Sequence, residues 1–420
     1  MPRLPGFAAT DHVFPVPLDH RDPSGPSIEV FARELVDPAR AGDELPWLLF
    51  LQGGPGGKGP RPVLSSGWLK HALRTHRVLL LDQRGTGRST PVTSRVAAGM
   101  DAATLAAYLR HFRADSIVAD CEVIRARLCG EQPWETLGQS YGGFLTLSYL
   151  SRAPEGLCAC YITGGLPGLT ATADEVYART YPRVRAKMAE FYARYPEDRD
   201  RVRRLADHLA RHDVRLPDGD RLTPRRLRLF GFGFGMSDTF EQTHWLLDEA
   251  FDGTEVSDTF LMAALTTTGF AGRPLYAALQ EFVYGQGSTP TAWAAHRMMA
   301  TFGEFAEDAD PLLFTGEMIY PWMFEDIHAL RPFAGAVDLL STVDDWPALY
   351  DPARLAANTV PVAALVYHDD MYVDAGLSLE TAAAVGALRT WVTNEAEHDG
   401  LRTEGEKVLP RLMDMAANRV

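Results

Sequence analysis

Short, continuous apolar runs occupy two parts of this chain, and the long stretch between them has no run typical of a buried strand. The first part contains the runs 28–36, 47–51, 78–81 and 157–163, and in the second the strand signal returns with the run 361–367 and the extended segment 388–392. Runs of this length, separated by helical stretches, are typical of parallel β-strands that are covered by helices on both faces. The pattern predicts an α/β core with a mostly parallel sheet.

The stretch between the two parts carries helical patterns. Arg- and Ala-rich patterns come first, at 182–195 and 198–212, and aromatic-rich patterns such as 274–284 follow. A chain of 420 residues also exceeds the size at which one simple core stops growing. We therefore predict a first core segment at 1–167, an inserted helical cap at 168–345 and a second core segment at 346–420.

The charge balance excludes some classes of partner. The chain has 41 Lys and Arg against 55 Asp and Glu, a formal net charge of −14, which argues against nucleic acid or an anionic membrane surface as partner. The first residues contain no apolar core of a signal peptide, and no stretch approaches 18 uninterrupted apolar residues. We expect a cytoplasmic protein that has no membrane span.

The four cysteines do not form a metal-binding pattern. They are Cys121, Cys129, Cys158 and Cys160, and no cluster of histidines accompanies them. Cys158 and Cys160 alternate along a predicted strand, so we expect both side chains on one buried face as reduced thiols. The sequence predicts neither a metal site nor a cofactor.

The sequence Gly-Gln-Ser-Tyr-Gly at 138–142 lies between a short extended segment at 134–137 and a helical pattern at 144–150. A serine between a strand and a helix, flanked by glycines, is typical of the turn that exposes a nucleophilic hydroxyl. The flanking glycines remove the Cβ atoms that would clash with the strand and the helix. We therefore predict that Ser140 is a nucleophile.

A serine nucleophile needs a base and an acid that orients the base. In α/β-hydrolases these partners follow the serine in the order acid, then histidine. The strand at 361–367 is followed by Asp369 and Asp370, which qualify equally as the acid, and Asp374 is a third candidate. His398 lies in a loop after the last predicted strand and is our candidate base, with His368 as its rival.

A glycine-rich loop, Gln-Gly-Gly-Pro-Gly-Gly at 52–57, follows the strand at 47–51. Glycines let backbone N–H groups approach an oxyanion closely. We expect the oxyanion donors to be the N–H of Gly53 or Gly54 and the N–H of Tyr141, the residue after the nucleophile. The charged loop at 82–89 is expected to brace its neighbours, and the Gly-Phe repeat at 231–235 is expected to form a packed turn or a helix junction.

Several of these segments together resemble the proline iminopeptidase (prolyl aminopeptidase) family, in its larger bacterial form with an extended helical cap. The resemblance implies an α/β-hydrolase fold, with Ser140 as nucleophile, Asp370 as orienting acid and His398 as base. One departure is Gln52, because the family's oxyanion loop often begins with His at this position. The segments that carry the resemblance are 53–56, 82–89, 115–122, 138–143, 316–324, 370–373 and 397–401.

The resemblance also implies an activity, which is the release of proline from the N-terminus of small peptides without a cofactor. Such an enzyme needs a carboxylate for the free imino group and apolar walls around the pyrrolidine ring. Glu317 is our candidate anchor, ahead of the other predicted cap carboxylates, and Tyr320, Trp322 and Phe324 are candidate walls. The other carboxylates are Glu281, Glu304 and Glu325.

Two other functions stay open from the sequence. A broader-specificity aminopeptidase or an esterase would use the same fold and the same catalytic groups, because specificity depends on the cap pocket. A binding protein without catalysis is the alternative of another class. The oligomeric state is not predicted.

Overall fold

The central element of the computed structural model, which describes residues 3–420, is a nine-stranded sheet. Its strands follow the spatial order β1-β2-β3-β5-β4-β6-β7-β10-β11. A separate hairpin, β8–β9, lies in the long stretch between β7 and β10. The strands are β1 Arg3–Leu4, β2 Phe7–Pro17, β3 Ser27–Val36, β4 Trp47–Leu51, β5 Arg77–Leu81, β6 Trp134–Gln139, β7 Leu157–Thr163, β8 Phe251–Asp252, β9 Glu255–Val256, β10 Val362–Tyr367 and β11 Leu388–Thr393.

The six strands from β5 to β11 in that spatial order are parallel, and β1, β2 and β3 join them as an antiparallel edge. This is the predicted α/β-hydrolase arrangement, and that prediction is confirmed. Strand β2 was not predicted. Its exposed positions alternate with buried ones and it contains two prolines, so it lacks the continuous apolar run of β4, β5 and β10.

Helices cover both faces of the sheet. Alternate residues of one strand point to opposite faces. Phe50 therefore packs toward α1 and α18, whereas its neighbour Leu49 belongs to the larger apolar cluster that continues into the helical stretch. The α-helices are α1 Gly67–Ala72, α2 Ser94–Ala97, α3 Ala102–Leu109, α4 Ala114–Cys129, α5 Tyr141–Arg152, α6 Ala173–Arg194, α7 Asp198–Arg211, α8 Pro224–Leu227, α9 Thr239–Asp248, α10 Asp258–Thr268, α11 Pro274–Leu279, α12 Ala294–Met299, α13 Met323–Asp326, α14 Ala334–Ser341, α15 Pro352–Ala356, α16 Ala375–Ala384, α17 Gly400–Thr403 and α18 Gly405–Ala416.

The long stretch between β7 and β10 holds helices α6 to α15. Helix α6 begins at Ala173, earlier than the pattern predicts, because Thr172 and Glu175 form a capping box. Pro182 lies inside this helix. Seven 3₁₀ helices complete the secondary structure of residues 3–420: Pro38–Arg40, Arg110–Phe112, Pro154–Gly156, Arg228–Gly233, Glu281–Tyr284, Gly303–Phe305 and Arg331–Phe333.

The prediction for Cys158 is wrong. Cys160 is buried, but Cys158 is exposed. The pairing of β6 with β7 shifts at this point, since Trp134 pairs with Leu157 and Glu135 pairs with Ala159. Cys158 is therefore the extra residue of a β-bulge, which breaks the alternation that would place both thiols on one face.

Two further observations concern the described residues. Within 3–420 no helix combines the length and the apolar character needed to cross a bilayer. In the same range, no three His, Cys, Asp or Glu side chains are grouped so that they could hold a metal ion.

Candidate active site

Ser140 lies in the turn between β6 and α5, at the carboxyl end of a central strand. Its backbone has φ 55° and ψ −123°, a strained conformation for a residue with a side chain. The neighbouring backbone is packed so tightly that a Cβ on Gly142 would lie 2.0 Å from the carbonyl oxygen of Leu51. A Cβ on Gly138 would likewise lie 2.4 Å from the carbonyl oxygen of Gly142. The glycines therefore permit the turn that presents Ser140.

Asp370 and His398 form a buried hydrogen-bonded pair. The distance between Asp370 Oδ2 and His398 Nδ1 is 2.6 Å, and the two residues are 1% and 3% exposed. The other carboxylate oxygen of Asp370 accepts the backbone N–H groups of Tyr372 at 2.8 Å and Val373 at 3.1 Å. These contacts fix the carboxylate, and its bond to Nδ1 leaves Nε2 as the free nitrogen of the imidazole ring.

The other candidates for acid and base are placed elsewhere. Asp369 is exposed, and its hydrogen bond of 2.8 Å goes to Nδ1 of His368, which is also exposed. Asp374 caps helix α16 by accepting the N–H of Leu377 at 3.1 Å. Among residues 3–420, Asp370 is the carboxylate that hydrogen-bonds His398.

The environment of His398 favours its protonated form. Burial by itself would lower the pKa of the imidazole, but the charge and hydrogen bond of Asp370, assisted by the carboxylate of Glu317, outweigh this effect. The pKa of His398 is consequently raised above its ordinary value. Such a pair can accept a proton from a hydroxyl and hold the resulting imidazolium.

The residues on both sides of His398 are tied to the helical stretch. Glu397 accepts a hydrogen bond from Nζ of Lys187, a buried residue of α6, at 2.5 Å. Asp399 accepts the hydroxyl of Ser237 at 2.6 Å and the N–H of the same residue at 3.3 Å. Because both neighbours are held, the position of the histidine loop depends on the helical stretch.

The Gly-Phe repeat supplies a third contact to this loop. The N–H of His398 donates to the carbonyl of Gly235 at 3.1 Å. Tyr372 joins the same contact, since its hydroxyl accepts the N–H of Gly235 at 3.3 Å and donates to the carbonyl of Phe232 at 2.6 Å. The sequence predicts a packed turn here, which the 3₁₀ helix at Arg228–Gly233 confirms. Nothing in the sequence pattern indicates that the turn contacts His398.

The glycine-rich loop after β4 packs against the serine turn. A Cβ on Gly53 would lie 2.9 Å from Cβ of Ser140, so the backbone of Gly53 is close to the hydroxyl-bearing residue. Gly54 follows it in the same loop. Tyr141 is the first residue of α5, and the N–H of a first helical residue has no acceptor within its helix. The geometry brings Gly53 and Tyr141, two of the three predicted oxyanion donors, to the serine turn.

Gln52, which stands where the family's oxyanion loop often begins with His, contacts two neighbouring glutamines. Its carbonyl accepts Nε2 of Gln83 at 2.7 Å, and its own Nε2 lies 3.4 Å from Oε1 of Gln139. The charged loop at 82–89, which follows β5, braces the fold as predicted. Its buried Arg84 donates to Asp120 and to the carbonyls of Leu18 and His111.

Glu317 lies among buried tyrosines near the Asp370–His398 pair. Its carboxylate accepts the hydroxyl of Tyr276 at 2.5 Å. The backbone of Tyr276 in turn packs on the glycine-rich loop, where a Cβ on Gly56 would lie 2.9 Å from its nitrogen. Burial raises the pKa of Glu317 to about 7, although the Tyr276 hydrogen bond and the charge of His398 lower it. This carboxyl therefore titrates close to neutral pH.

Glu281 is a buried carboxylate in the same region. It is 3% exposed, and its Oε2 accepts the N–H of Ala295 at 3.2 Å. Its Oε1 is buried without a hydrogen-bond partner among residues 3–420. Burial raises the pKa of Glu281. The sequence gives it no priority over the other cap carboxylates, since the only signal is its place in an aromatic-rich stretch.

The three predicted wall residues pack within the helical stretch. Tyr320 is 1% exposed and its hydroxyl lies 3.0 Å from that of Tyr181. Trp322 stacks on Tyr320 at 6.0 Å between ring centroids, and Phe324 lies 5.7 Å from Trp293. The Glu317 carboxylate is hydrogen-bonded instead by the hydroxyl of Tyr276. Tyr276 was not among the predicted site residues.

Comparison with known proteins agrees with this geometry. Residues 46–247 match the model of the alpha/beta hydrolase fold family. A proline iminopeptidase of Aeromonas sobria is 47% identical over 412 residues, which cover 98% of this chain and 97% of that protein. The proline iminopeptidase aneH of Aspergillus aculeatus is 34% identical over 420 residues, covering 97% of this chain and 93% of that protein.

Among solved structures, the proline iminopeptidase of Mycobacterium smegmatis aligns with 97% of this chain and 98% of its own, at 14% identity and a TM-score of 0.46. This likeness is too loose to support an inference. The two full-length sequence relatives carry the family assignment, because their similarity spans core and helical stretch alike. The chain belongs to the proline iminopeptidase family.

Proposed function

We propose that this chain is a serine exopeptidase that releases proline from the free N-terminus of small peptides. The observation that carries the proposal is the buried Asp370–His398 pair in a fold that also presents Ser140 on a strained turn. The 47% identity to a proline iminopeptidase over nearly the whole chain supports the substrate class. No cofactor enters the proposed reaction.

The proposed reaction proceeds through an acyl-enzyme. His398 accepts the Ser140 proton on Nε2, and the alkoxide attacks the carbonyl carbon of the N-terminal proline. The N–H groups of Gly53 or Gly54 and of Tyr141 stabilise the resulting oxyanion. His398 then gives its proton to the leaving amine, and the peptide bond breaks. Water repeats the sequence, so that free proline is released and Ser140 is restored.

Glu317 is proposed to hold the charged imino group of the substrate. Its support is threefold: it is a half-buried carboxylate bonded to a buried tyrosine, its charge affects the pKa of His398, and its partner Tyr276 packs on the oxyanion loop. Glu281, with a buried and unpartnered oxygen, is proposed as a second contributor to the negative charge of this pocket. A cation suits such a pocket because it compensates carboxylates that burial makes costly to ionise.

The helical stretch at 168–345 is proposed to be a cap domain inserted between core segments 1–167 and 346–420. Its support is that every strand of the large sheet lies outside it. Tyr320, Trp322 and Phe324 are proposed to form the outer wall that shapes the proline pocket. A cytoplasmic location is proposed as well, supported by the reduced thiols of Cys121 and Cys160 in the core.

The test is a panel of aminoacyl-arylamides, each with a free and with an acetylated N-terminus. We expect turnover of the free prolyl-arylamide and its loss in Ser140→Ala, with an unchanged circular dichroism spectrum. Retained turnover in the variant contradicts the assignment of Ser140. Comparable rates on several free aminoacyl-arylamides indicate a broader aminopeptidase, and a preference for acetylated or ester substrates indicates an esterase. No labelling of Ser140 by a serine-reactive phosphonate indicates a binding protein.

A further inference from the structure

A closed circuit of hydrogen bonds through four residues joins the backbone of His398 to its own imidazole ring. The N–H of His398 donates to the carbonyl of Gly235 at 3.1 Å, and the N–H of Gly235 donates to the hydroxyl of Tyr372 at 3.3 Å. The N–H of Tyr372 donates to Oδ1 of Asp370 at 2.8 Å, and Oδ2 of Asp370 lies 2.6 Å from Nδ1 of His398. One circuit therefore holds both the main chain and the ring of the histidine.

Tyr372 is the residue that spans this circuit. Its ring packs on the imidazole of His398, with ring centroids 4.7 Å apart and planes at 53°. Its hydroxyl donates to the carbonyl of Phe232 at 2.6 Å, besides accepting the N–H of Gly235. The residue is 5% exposed, so solvent has little access to these contacts. Tyr372 thus contacts the proposed base, the proposed acid and the Gly-Phe repeat.

The ring of Tyr372 leaves no room for a side chain at Gly235. A Cβ on Gly235 would lie 2.3 Å from Cε2 of Tyr372 and 2.8 Å from Cγ of Met371. Both distances are well below ordinary contact between carbon atoms. Packing therefore couples the Gly-Phe repeat to the tyrosine ring, in addition to the hydrogen bonds.

We propose that Tyr372 is a positioning residue, which holds His398 and fixes the direction of its free Nε2. The inference rests on the proposed function, in which Nε2 accepts the proton of Ser140. Without the tyrosine hydroxyl, the carbonyl of Phe232 and the N–H of Gly235 lose their partners, and the turn shifts to satisfy them. The carbonyl that holds the histidine main chain shifts with this turn, so Nε2 loses its fixed direction.

Tyr372→Phe tests the proposal because it removes only the hydroxyl. The variant keeps the ring beside His398 and the N–H that bonds Asp370. Tyr192→Phe is a matched control, since Tyr192 is also 5% exposed and its hydroxyl also donates to a backbone carbonyl at 2.6 Å, that of Leu312. Within residues 3–420, no hydrogen bond or ring contact of Tyr192 involves a proposed catalytic group. Circular dichroism and urea unfolding check that both variants fold.

The experiment measures kcat and KM of each enzyme on the free prolyl-arylamide. A misplacement of about 1 Å can cost about 100-fold in rate, so kcat of Tyr372→Phe should fall by about 10- to 100-fold while KM stays within about threefold. Tyr192→Phe should keep kcat within about twofold of wild type. A merely structural role would lower stability without this selective loss of kcat. An unchanged kcat in Tyr372→Phe, or an equal loss in both variants, overturns the proposal.

A simple alkyl fluorophosphonate separates an effect on the base from an effect on the proposed imino pocket. The distinction matters because the ring of Phe232 also packs on Tyr276, whose hydroxyl bonds Glu317. The reagent carries no amine, so its reaction with Ser140 needs the base but not the imino anchor. Tyr372→Phe should slow this labelling by about as much as it lowers kcat. Unimpaired labelling beside impaired turnover overturns the positioning role, because the effect then lies in the substrate pocket.

Gly235→Ala tests the same link from the side of the helical stretch. The added Cβ would displace the ring of Tyr372 that packs on His398, so kcat and labelling should both fall as in Tyr372→Phe. Gly303→Ala, where a Cβ has open space, should keep both at the wild-type level. Wild-type kcat in a folded Gly235→Ala overturns the proposal. Failure of the proposed function has a different signature, since the wild type would then not hydrolyse the prolyl-arylamide at all.

Discussion

Replacing Glu317 with glutamine tests how the enzyme recognises a free N-terminus. Glutamine keeps the size of the side chain and an oxygen that accepts the Tyr276 hydroxyl, and it removes only the charge. A hydrogen bond that involves a charged group contributes about 1.5–3 kcal/mol. Loss of the carboxylate–imino contact should therefore lower kcat/KM for a free prolyl-arylamide by about 10- to 150-fold.

The pH dependence gives the same prediction an independent readout. Glu317, with a pKa of about 7, must be ionised to attract the imino group, and His398, whose pKa is raised, must be neutral to act as base. Both requirements fail as the pH falls. At pH values below both pKa values, kcat/KM of the wild type should therefore fall about 100-fold for each pH unit, because two groups take up a proton. In Glu317→Gln only His398 remains, so kcat/KM should fall about tenfold for each pH unit. On a logarithmic plot these slopes are two and one.

The assay uses the free prolyl-arylamide and an N-acetylated prolyl ester between pH 5 and 9. The ester has no charged imino group, so its hydrolysis by Glu317→Gln should stay within about threefold of wild type. Glu304→Gln is the control, because Glu304 is a cap carboxylate paired with Arg185 on the surface. An equal loss on both substrates, or a slope that stays at two in Glu317→Gln, refutes the proposed anchor.

The same substitution should change stability in a pH-dependent way. The pKa of Glu317 is raised from 4.5 to about 7 by burial, so the folded state binds a proton more tightly than the unfolded chain does. Ionisation then costs the folded state about 3 kcal/mol above pH 7, and this cost disappears as the pH falls toward 4.5. Glu317→Gln should be more stable than wild type at pH 8 and similar at pH 4.5 in urea unfolding.

Three further predictions concern the rest of the site and the fold. Asp370→Asn should reduce kcat by about 10⁴-fold, because His398 loses the partner that sets its tautomer; a loss below tenfold in the prolyl-arylamide assay would contradict this role. Gly142→Ala should destabilise the protein by about 3 kcal/mol in urea unfolding, because the added Cβ would meet the carbonyl oxygen of Leu51. Gly303→Ala, where a Cβ has open space, should cost less than about 0.5 kcal/mol. Similar losses in the two variants would show that this contact does not limit the residue at position 142. Cys158 should be the first thiol alkylated in the native protein, and mass spectrometry that finds a buried cysteine modified first would exclude that order.

The sequence predicts β4, β5 and β10 well because burial on both faces leaves a continuous apolar run in each of them. It predicts the serine turn for a related reason, since Gly138 and Gly142 sit where a Cβ would meet backbone atoms. Strand β2 cannot be predicted in the same way, because one side of it faces solvent and it contains two prolines. Local pattern is therefore informative where packing constrains every residue.

Residue types alone do not separate Asp369 from Asp370. The two carboxylates are adjacent on one loop, and the backbone turn after β10 exposes the first and buries the second beside His398. The sequence does not single out Glu281 for a comparable reason. Its proposed role in the pocket depends on a buried oxygen that has no hydrogen-bond partner among residues 3–420, and composition does not encode that property. The bulge at Cys158 depends on the pairing of β6 with β7, which is a property of two strands together.

The ties on either side of the histidine couple the proposed base to the helical stretch. Lys187 and Ser237 belong to that stretch, and they hold the residues immediately before and after His398. A substitution that breaks either contact would therefore reach His398 from outside the core segments, without altering Ser140 or Asp370.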